Sequence, residues 1–365
     1  MASSQMLADL QRQDQHSTAV LRERASSIRQ RIDQLALIEQ QMNLEIRQLL
    51  PVPIRLRRAE DAMALVYSVA AECLEIRARR PESDLTADQV EKLLMEEATA
   101  AHEGRVLAAR CAAEVEAQIA KCRNELNRLH SDWSLKTIAL TAERRAIAQG
   151  REEGSMKQAG SMAPTETTGP PPEEWERNAV VLLQCAEEER EKAMRLRARV
   201  EPLIRETGRD VSRRNTLVDE ALTRNIDVLI AMLTDLKAER LKVLEKEACN
   251  ERLQTHLEKA AYQTEPALKS AQSRLVERRA RPPIERTSDE PQSSLLGEVG
   301  SAIAMDTAIK DRLADTRACW QSLVDKRCEL EREIGLKTRS LYLDRERVRL
   351  VRTLLPTRTA LQGME

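Results

Sequence analysis

The feature that most restricts the fold of this chain is the spacing of its apolar residues. Ile28, Ile32, Leu35, Met42, Ile46 and Leu49 fall at alternating steps of four and three, with Glu39 in one seam position. The pattern recurs at Leu222, Ile226, Leu229, Leu233, Leu236 and Val243, with Arg240 in the seam. Such spacing puts a single apolar stripe on one face of a helix, and that stripe needs a partner helix to cover it. The chain has no Phe and only six Trp and Tyr residues, so the aromatic area that fills a thick globular core is missing. Charged residues reach 33%, which alone would suggest disorder, but 41% hydrophobic content in periodic order argues for long helices. The expected fold class is all-α, an elongated antiparallel helical bundle or coiled-coil rod.

Prolines and glycines mark the boundaries. The spacing predicts helices over about 15–50, 54–79 and 86–148, separated by Pro51 and Pro53 and then by Arg80-Pro81-Glu82-Ser83-Asp84. Ser83 or Thr86 is the expected cap of the third helix. Residues 149–172 hold four glycines and Pro170-Pro171-Pro172, and read as a linker. A helix starts near Glu173, with kinks expected at Pro202 and Pro266. A Pro-rich break follows from Arg281 to about Gln292, and a last helix runs to about Leu355.

The halves also match each other. A shift of 201 residues lines up Leu74 with Leu275, Arg77 with Arg278, Arg80 with Arg281, Pro81 with Pro282 and Asp88 with Asp289. In the same ungapped register, Leu135-Lys136-Thr137 meets Leu336-Lys337-Thr338, and the polar seam positions Glu39 and Arg240 coincide. The expected division is two tandem units, 1–148 and 173–356, with the linker 149–172 between them and a tail at 357–365. A helix that breaks and reverses lets its flanking segments pack as an antiparallel pair.

Several function classes are disfavoured. With 59 basic and 60 acidic residues, there is no surplus positive charge for nucleic acid. No apolar run is long enough to span a membrane. Seven cysteines, Cys73, Cys111, Cys122, Cys185, Cys249, Cys319 and Cys328, show no paired spacing and read as reduced thiols. His16, His102, His130 and His256 match no ligand spacing, and no phosphate-cradling glycine motif occurs. The expectation is no enzyme, no cofactor and no metal. Trp133, Trp175 and Trp320 are readable either as interface anchors or as the widest layers of a thin bundle.

The second break, Arg281-Pro282-Pro283-Ile284-Glu285-Arg286-Thr287-Ser288-Asp289, resembles the loop nonapeptide Arg-Pro-Asn-Val-Glu-Leu-Cys-Arg-Asp of the tektin family. Arg281, Pro282, Glu285 and Asp289 match, and Ile284 stands for Val. Trp175 with Asn178, and the Lys337 to Asp344 stretch, are also similar to the family pattern. Thr287 replaces the family's loop Cys, so no role for a thiol carries over. Trp175 shifted back by 201 falls before residue 1, so the first unit lacks a leading helix in this chain. The resemblance implies a structural filament protein of the axoneme that lines and stabilises ciliary and flagellar doublet microtubules. Tubulin in the A-tubule lumen, other microtubule inner proteins and like rods end to end would be its partners. It also implies partner-contact loops at Arg80, Pro81, Asp84, Asp88, Arg281, Pro282, Ile284, Glu285 and Asp289. Arg80, Arg281, Asp88 and Asp289 can alternatively be read as caps of helix ends in a plain reversal loop. The alternative function is a coiled-coil adaptor or tethering subunit of another cytoskeletal complex.

Overall fold

A computed structural model describes residues 2–81, 84, 85, 88–149, 169 and 171–364. The expected caps Ser83 and Thr86, and nearly all of the 149–172 linker, lie outside the described residues. Six helices account for most of the rest. They are α1 (Ala2–Leu49), α2 (Pro51–Ala78), α3 (Gln89–Gln149), α4 (Pro172–Arg279), α5 (Glu290–Tyr342) and α6 (Arg349–Arg352). No strand occurs among the described residues, and the fold class is all-α.

The prolines act unequally. Pro51 opens α2 at a position where its missing N–H is no loss. The break is one residue long, because the Leu50 N–H still donates to the Ile46 carbonyl at 3.0 Å. Neither Pro202 nor Pro266 ends a helix, since α4 runs through both. A proline forfeits one backbone bond locally. Around Pro202 the turns are held by the buried side chains Val200 and Ile204, which give the helix reason to continue.

Packing groups the chain differently from the sequence repeat. One compact unit contains residues 1–71, 93–218 and 354–365; the other contains 72–92 and 219–353. The difference arises because α4 contributes its first part to one unit and its second part to the other.

In the first unit, seven-residue steps run through α1 and α2 at Ile28, Leu35, Met42, Leu49, Leu56, Met63 and Ala70, all at most 2% exposed. On α3 the same steps bury Leu94, Ala101, Ala108, Val115, Cys122 and Leu129, and on α4 they bury Ala179, Ala186, Ala193 and Val200. From Leu35 to Leu56 on α1 and α2, Ala108 to Leu129 on α3 and Ala186 to Val200 on α4, these stripes meet in one core, while Met63 and Ala101 belong to a second cluster. Alanine on α3 and α4 leaves room for the larger Leu and Met of α1 and α2, which is how a core without Phe reaches close packing. Ion pairs flank it, with Arg55 to Glu201 at 2.8 Å, Arg197 to Glu45 at 2.9 Å and Arg57 to Glu116 at 2.6 Å.

Residues 357–364, most of the segment 357–365 read from the sequence as a tail, are grouped with this unit. Leu361 is fully buried among Met63, Val66, Ala101 and Val211. Gly208 accommodates it, because a Cβ there would lie 3.0 Å from the Leu361 carbonyl oxygen. Gly363 has φ +67°, and a Cβ there would come 2.0 Å from the Arg55 carbonyl oxygen, so only glycine fits.

In the second unit, α4 from Asp219 pairs antiparallel with α5. Glu247 meets Arg327 at 3.1 Å, and Glu258 meets Arg317 at 3.8 Å. The latter pair is the Arg57–Glu116 pair of the first unit moved by 201 residues, with both charges inverted. Leu222, Ile226, Leu229, Leu233 and Val243 are buried as the spacing predicts. Farther along, Tyr262, Val276, Leu296 and Met305 are exposed. At the end of α5 the helix widens into a single π turn, Leu343–Val348.

Replacing Leu361 with Ala should cost the first unit about 2–4 kcal/mol through cavity formation. Urea unfolding, together with lost hydrogen-exchange protection around residues 63 and 211, would show it. Unchanged protection would mean that the C-terminal segment does not contribute to this core.

Candidate functional site

The two interhelical loops are the places where polar chemistry enters the seam. Seven residues after Ala70 comes Arg77, and seven after Ala271 comes Arg278, so each first helix ends by delivering an arginine to a position that elsewhere is apolar. A buried guanidinium needs carboxylates to satisfy it.

The two loops are built in the same way. Arg77 pairs with Asp88, and Arg278 with Asp289. The N–H of Asp84 donates to the Pro81 carbonyl at 2.8 Å, and that of Glu285 to the Pro282 carbonyl at 2.9 Å. Asp88 accepts from the Glu91 N–H at 2.9 Å and caps α3; Asp289 accepts from the Gln292 N–H at 3.2 Å and caps α5. Arg80 reaches Asp88 at 2.9 Å, and Arg281 reaches Asp289 at 3.8 Å. Capping therefore accounts for both Arg–Asp pairs, with Asp88 heading α3 and Asp289 heading α5.

The loops differ in their surroundings. In the first, Arg77 is 1% exposed and donates to Asp344 at 2.7 Å, and Asp344 also accepts from Asn225 at 2.9 Å. Asp84 is buried and accepts from the Lys337 ammonium and from the Ser340 hydroxyl, the latter at 2.6 Å. Arg80 is buried as well, and Pro81 is half-buried. In the second loop, Pro282, Ile284 and Glu285 are exposed, Ile284 to 93%. Arg281 is half-exposed, and among the described residues Arg278 has no counterpart of Asp344. Among the described residues, Arg77, Arg80 and Asp84 of the first loop are thus satisfied within its own unit while Leu85 is exposed, and the second loop is open. In the sequence, Lys337 and Asp344 stand out only as parts of a family-like stretch; the π turn that aims Asp344 at Arg77 leaves no signal in the spacing.

Burial pushes the Asp344 carboxyl up, against the pull of Arg77 and Arg80. Burial also acts to raise Asp84, but the hydrogen bonds from Lys337 and Ser340 and the nearby cations outweigh it and hold this carboxyl below its ordinary value. The Arg278 guanidinium holds Asp289 low.

Other candidates are placed as follows. Trp133 packs against the first core, while Trp175 lies under Arg24 at 3.9 Å and Trp320 is exposed. Glu39 faces His130 at 3.7 Å. Cys73, Cys111 and Cys122 are buried, and Cys249, Cys319 and Cys328 are exposed. Among the described residues, no group of side chains could hold a metal ion, and no helix is long and apolar enough to cross a membrane.

Helices that pair through seven-residue seams and reverse at matched Arg–Asp loops define a structural coiled-coil protein. The Tektin family model matches residues 3–356, and the chain belongs to that family. It is 27% identical to Tektin-4 of Rattus norvegicus over 325 residues, covering 89% of this chain and 73% of the relative. It is 28% identical to Tektin-4 of Bos taurus, covering 97% and 79%, and 26% identical to Tektin-4 of Xenopus laevis, covering 100% and 82%. Family membership implies a structural, microtubule-associated protein of cilia and flagella; the family is not an enzymatic one.

The unequal settings of the two loops should be measurable. Arg77→Ala should destabilise the second unit by about 3–5 kcal/mol, because it leaves Asp344 buried without its cation. Arg278→Ala should cost clearly less in the same denaturant titration, because its carboxylate partner faces solvent.

The pH dependence has a definite sign. The folded-state value of Asp84 lies below the unfolded one, so its stabilisation is present above about pH 4 and is lost as pH falls through the folded value. Asp344 is raised and acts oppositely, its contribution being lost as pH rises. Asp84→Asn should cost about 1.5–3 kcal/mol at pH 7 and flatten the acid limb of the stability curve. An unchanged acid limb would mean that Asp84 is not the group responsible.

Proposed function

We propose that this protein is a filament-forming microtubule inner protein. In this reading it lines ciliary and flagellar doublet microtubules, contacts tubulin from the A-tubule lumen, and joins end to end with copies of itself or with other tektins. The observation that carries the reading is the pair of like-built loops 201 residues apart, one satisfied within its unit and one open. A repeated element with one unfilled copy is what a periodic lattice requires, and an asymmetric adaptor has no use for it. The exposed apolar side chains of α4 and α5 in the second unit, Tyr262, Val276, Leu296 and Met305, supply further surface for such contacts. The two sequence repeats would then be like segments placed in succession along the lattice. Affinity would come from many modest contacts repeated along it.

Extraction of isolated axonemes tests this. The protein should stay with the doublet microtubules through detergent and salt washes. Release with the soluble matrix fraction would overturn the lattice reading and favour the adaptor.

A further inference from the structure

We propose that Thr287, in the second interhelical loop, is a phosphorylation site for a protein kinase that reads acidic residues on the C-terminal side of its target, and that Arg281 and Arg286 hold the resulting phosphate. The inference needs only the exposed loop and does not rest on the filament reading.

The acceptor is defined first by its backbone. An enzyme that modifies a side chain must draw the surrounding segment into its cleft, which exposed loop tips allow and packed helices resist. Residues 286–289 form neither helix nor turn, and lie between the short turn Pro283–Glu285 and the start of α5. Arg286, Thr287 and Ser288 are all exposed. Thr287 is followed by Ser288, Asp289 and Glu290, which puts carboxylates two and three residues downstream. Thr207, Thr216, Thr255 and Ser322 also have an acid three residues on, but each lies inside α4 or α5. The Thr216 and Thr255 hydroxyls are moreover turned back onto the Ser212 and Glu251 carbonyls, at 3.1 Å and 2.9 Å. Among the described residues, the acidic flank and the open backbone coincide at Thr287.

The internal repeat sharpens the choice. The 201-residue shift takes Thr287 to Thr86, whose third following residue is Gln89 where Thr287 has Glu290. The tektin loop pattern has Cys and Arg where this chain has Thr287 and Ser288, so the two hydroxyls belong to this chain rather than to the pattern.

The loop also has cations available for a phosphate. Arg286 donates through Nε to the Arg281 carbonyl at 2.9 Å, which brings the two residues together. Among the described residues Arg286 meets no carboxylate, and Arg281 reaches Asp289 at the long distance of 3.8 Å. In the transfer, the Thr287 hydroxyl oxygen bonds to the γ-phosphorus of a nucleoside triphosphate. The bond from that phosphorus to the β,γ-bridging oxygen breaks, the nucleoside diphosphate leaves, and the hydroxyl proton passes to the kinase. The product carries about −1.5 to −2 charges at pH 7. Residues 281–289 hold two arginines and two acids, so the loop changes from neutral to anionic. Charge-assisted hydrogen bonds from Arg281 and Arg286 then tighten it, and the positive end of α5, two residues on, favours the same state.

The test incubates the full chain with casein kinase II and a nucleoside triphosphate, and locates the phosphate by peptide mass spectrometry. Phosphate should appear on Thr287. Thr287→Ala should abolish that incorporation, and Glu290→Gln should slow it about tenfold with helicity unchanged. In the product, the phosphorus magnetic resonance signal should titrate about half a pH unit lower than in the Arg281→Gln/Arg286→Gln double variant. No incorporation, phosphate at Ser288 or elsewhere in place of Thr287, or a Thr287→Ala chain labelled as fast as the parent overturns the site. Equal titration midpoints overturn the role given to the two arginines.

Discussion

The buried arginine at the end of the first seam is the constraint on which much of the structure turns. A guanidinium that is 1% exposed cannot be left without anions, and this one gathers Asp88 from the next helix and Asp344 from 267 residues away. That requirement fixes where α3 begins, through the cap that Asp88 provides. It also fixes where α5 must stop being a regular helix, because the π turn holds Asp344. An apolar residue at position 77 would have continued the seam at lower desolvation cost. The polar choice defines one register between chain segments far apart in sequence, which uniform apolar seams do less well.

Seven-residue steps sustained over so many turns have their own consequence. A straight helix has 3.6 residues per turn, so a stripe repeating every seven residues drifts around it unless the helices wrap left-handed. The first unit keeps that period from Ile28 to Ala70 across the Pro51 boundary. Its alanines on α3 and α4 make the helices approach closely, and this substitutes for aromatic bulk.

Much of this architecture is legible in the amino-acid order alone. The four-three spacing marks the residues that are buried in α1 and α4, and the 201-residue register implies that Arg77 and Arg278 play like parts. Composition and periodicity carry no information about packing between remote segments, and their reach ends there. Leu361 has no periodic neighbours, so nothing marks it as core. At Pro202 and Pro266 the helix runs on through the proline, since long helices are held by their packing as well as by local propensity. At Asp88 and Asp289 a capping role and a contact role call for the same residue type, so spacing cannot separate them. The structure shows the cap at both, with the second loop's Pro282, Ile284 and Glu285 exposed.

The position of Leu361 has a temporal consequence. It shares a core with Met63, Val66 and Ala101, residues made hundreds of positions earlier during synthesis. The cluster around Met63 and Val211 therefore cannot be completed while the ribosome is still translating α5, and the apolar seat of Leu361 stays open until then. In a protein of this design a segment made late completes a cluster begun much earlier, so the nascent chain stays exposed longest around Met63, Val66 and Ala101.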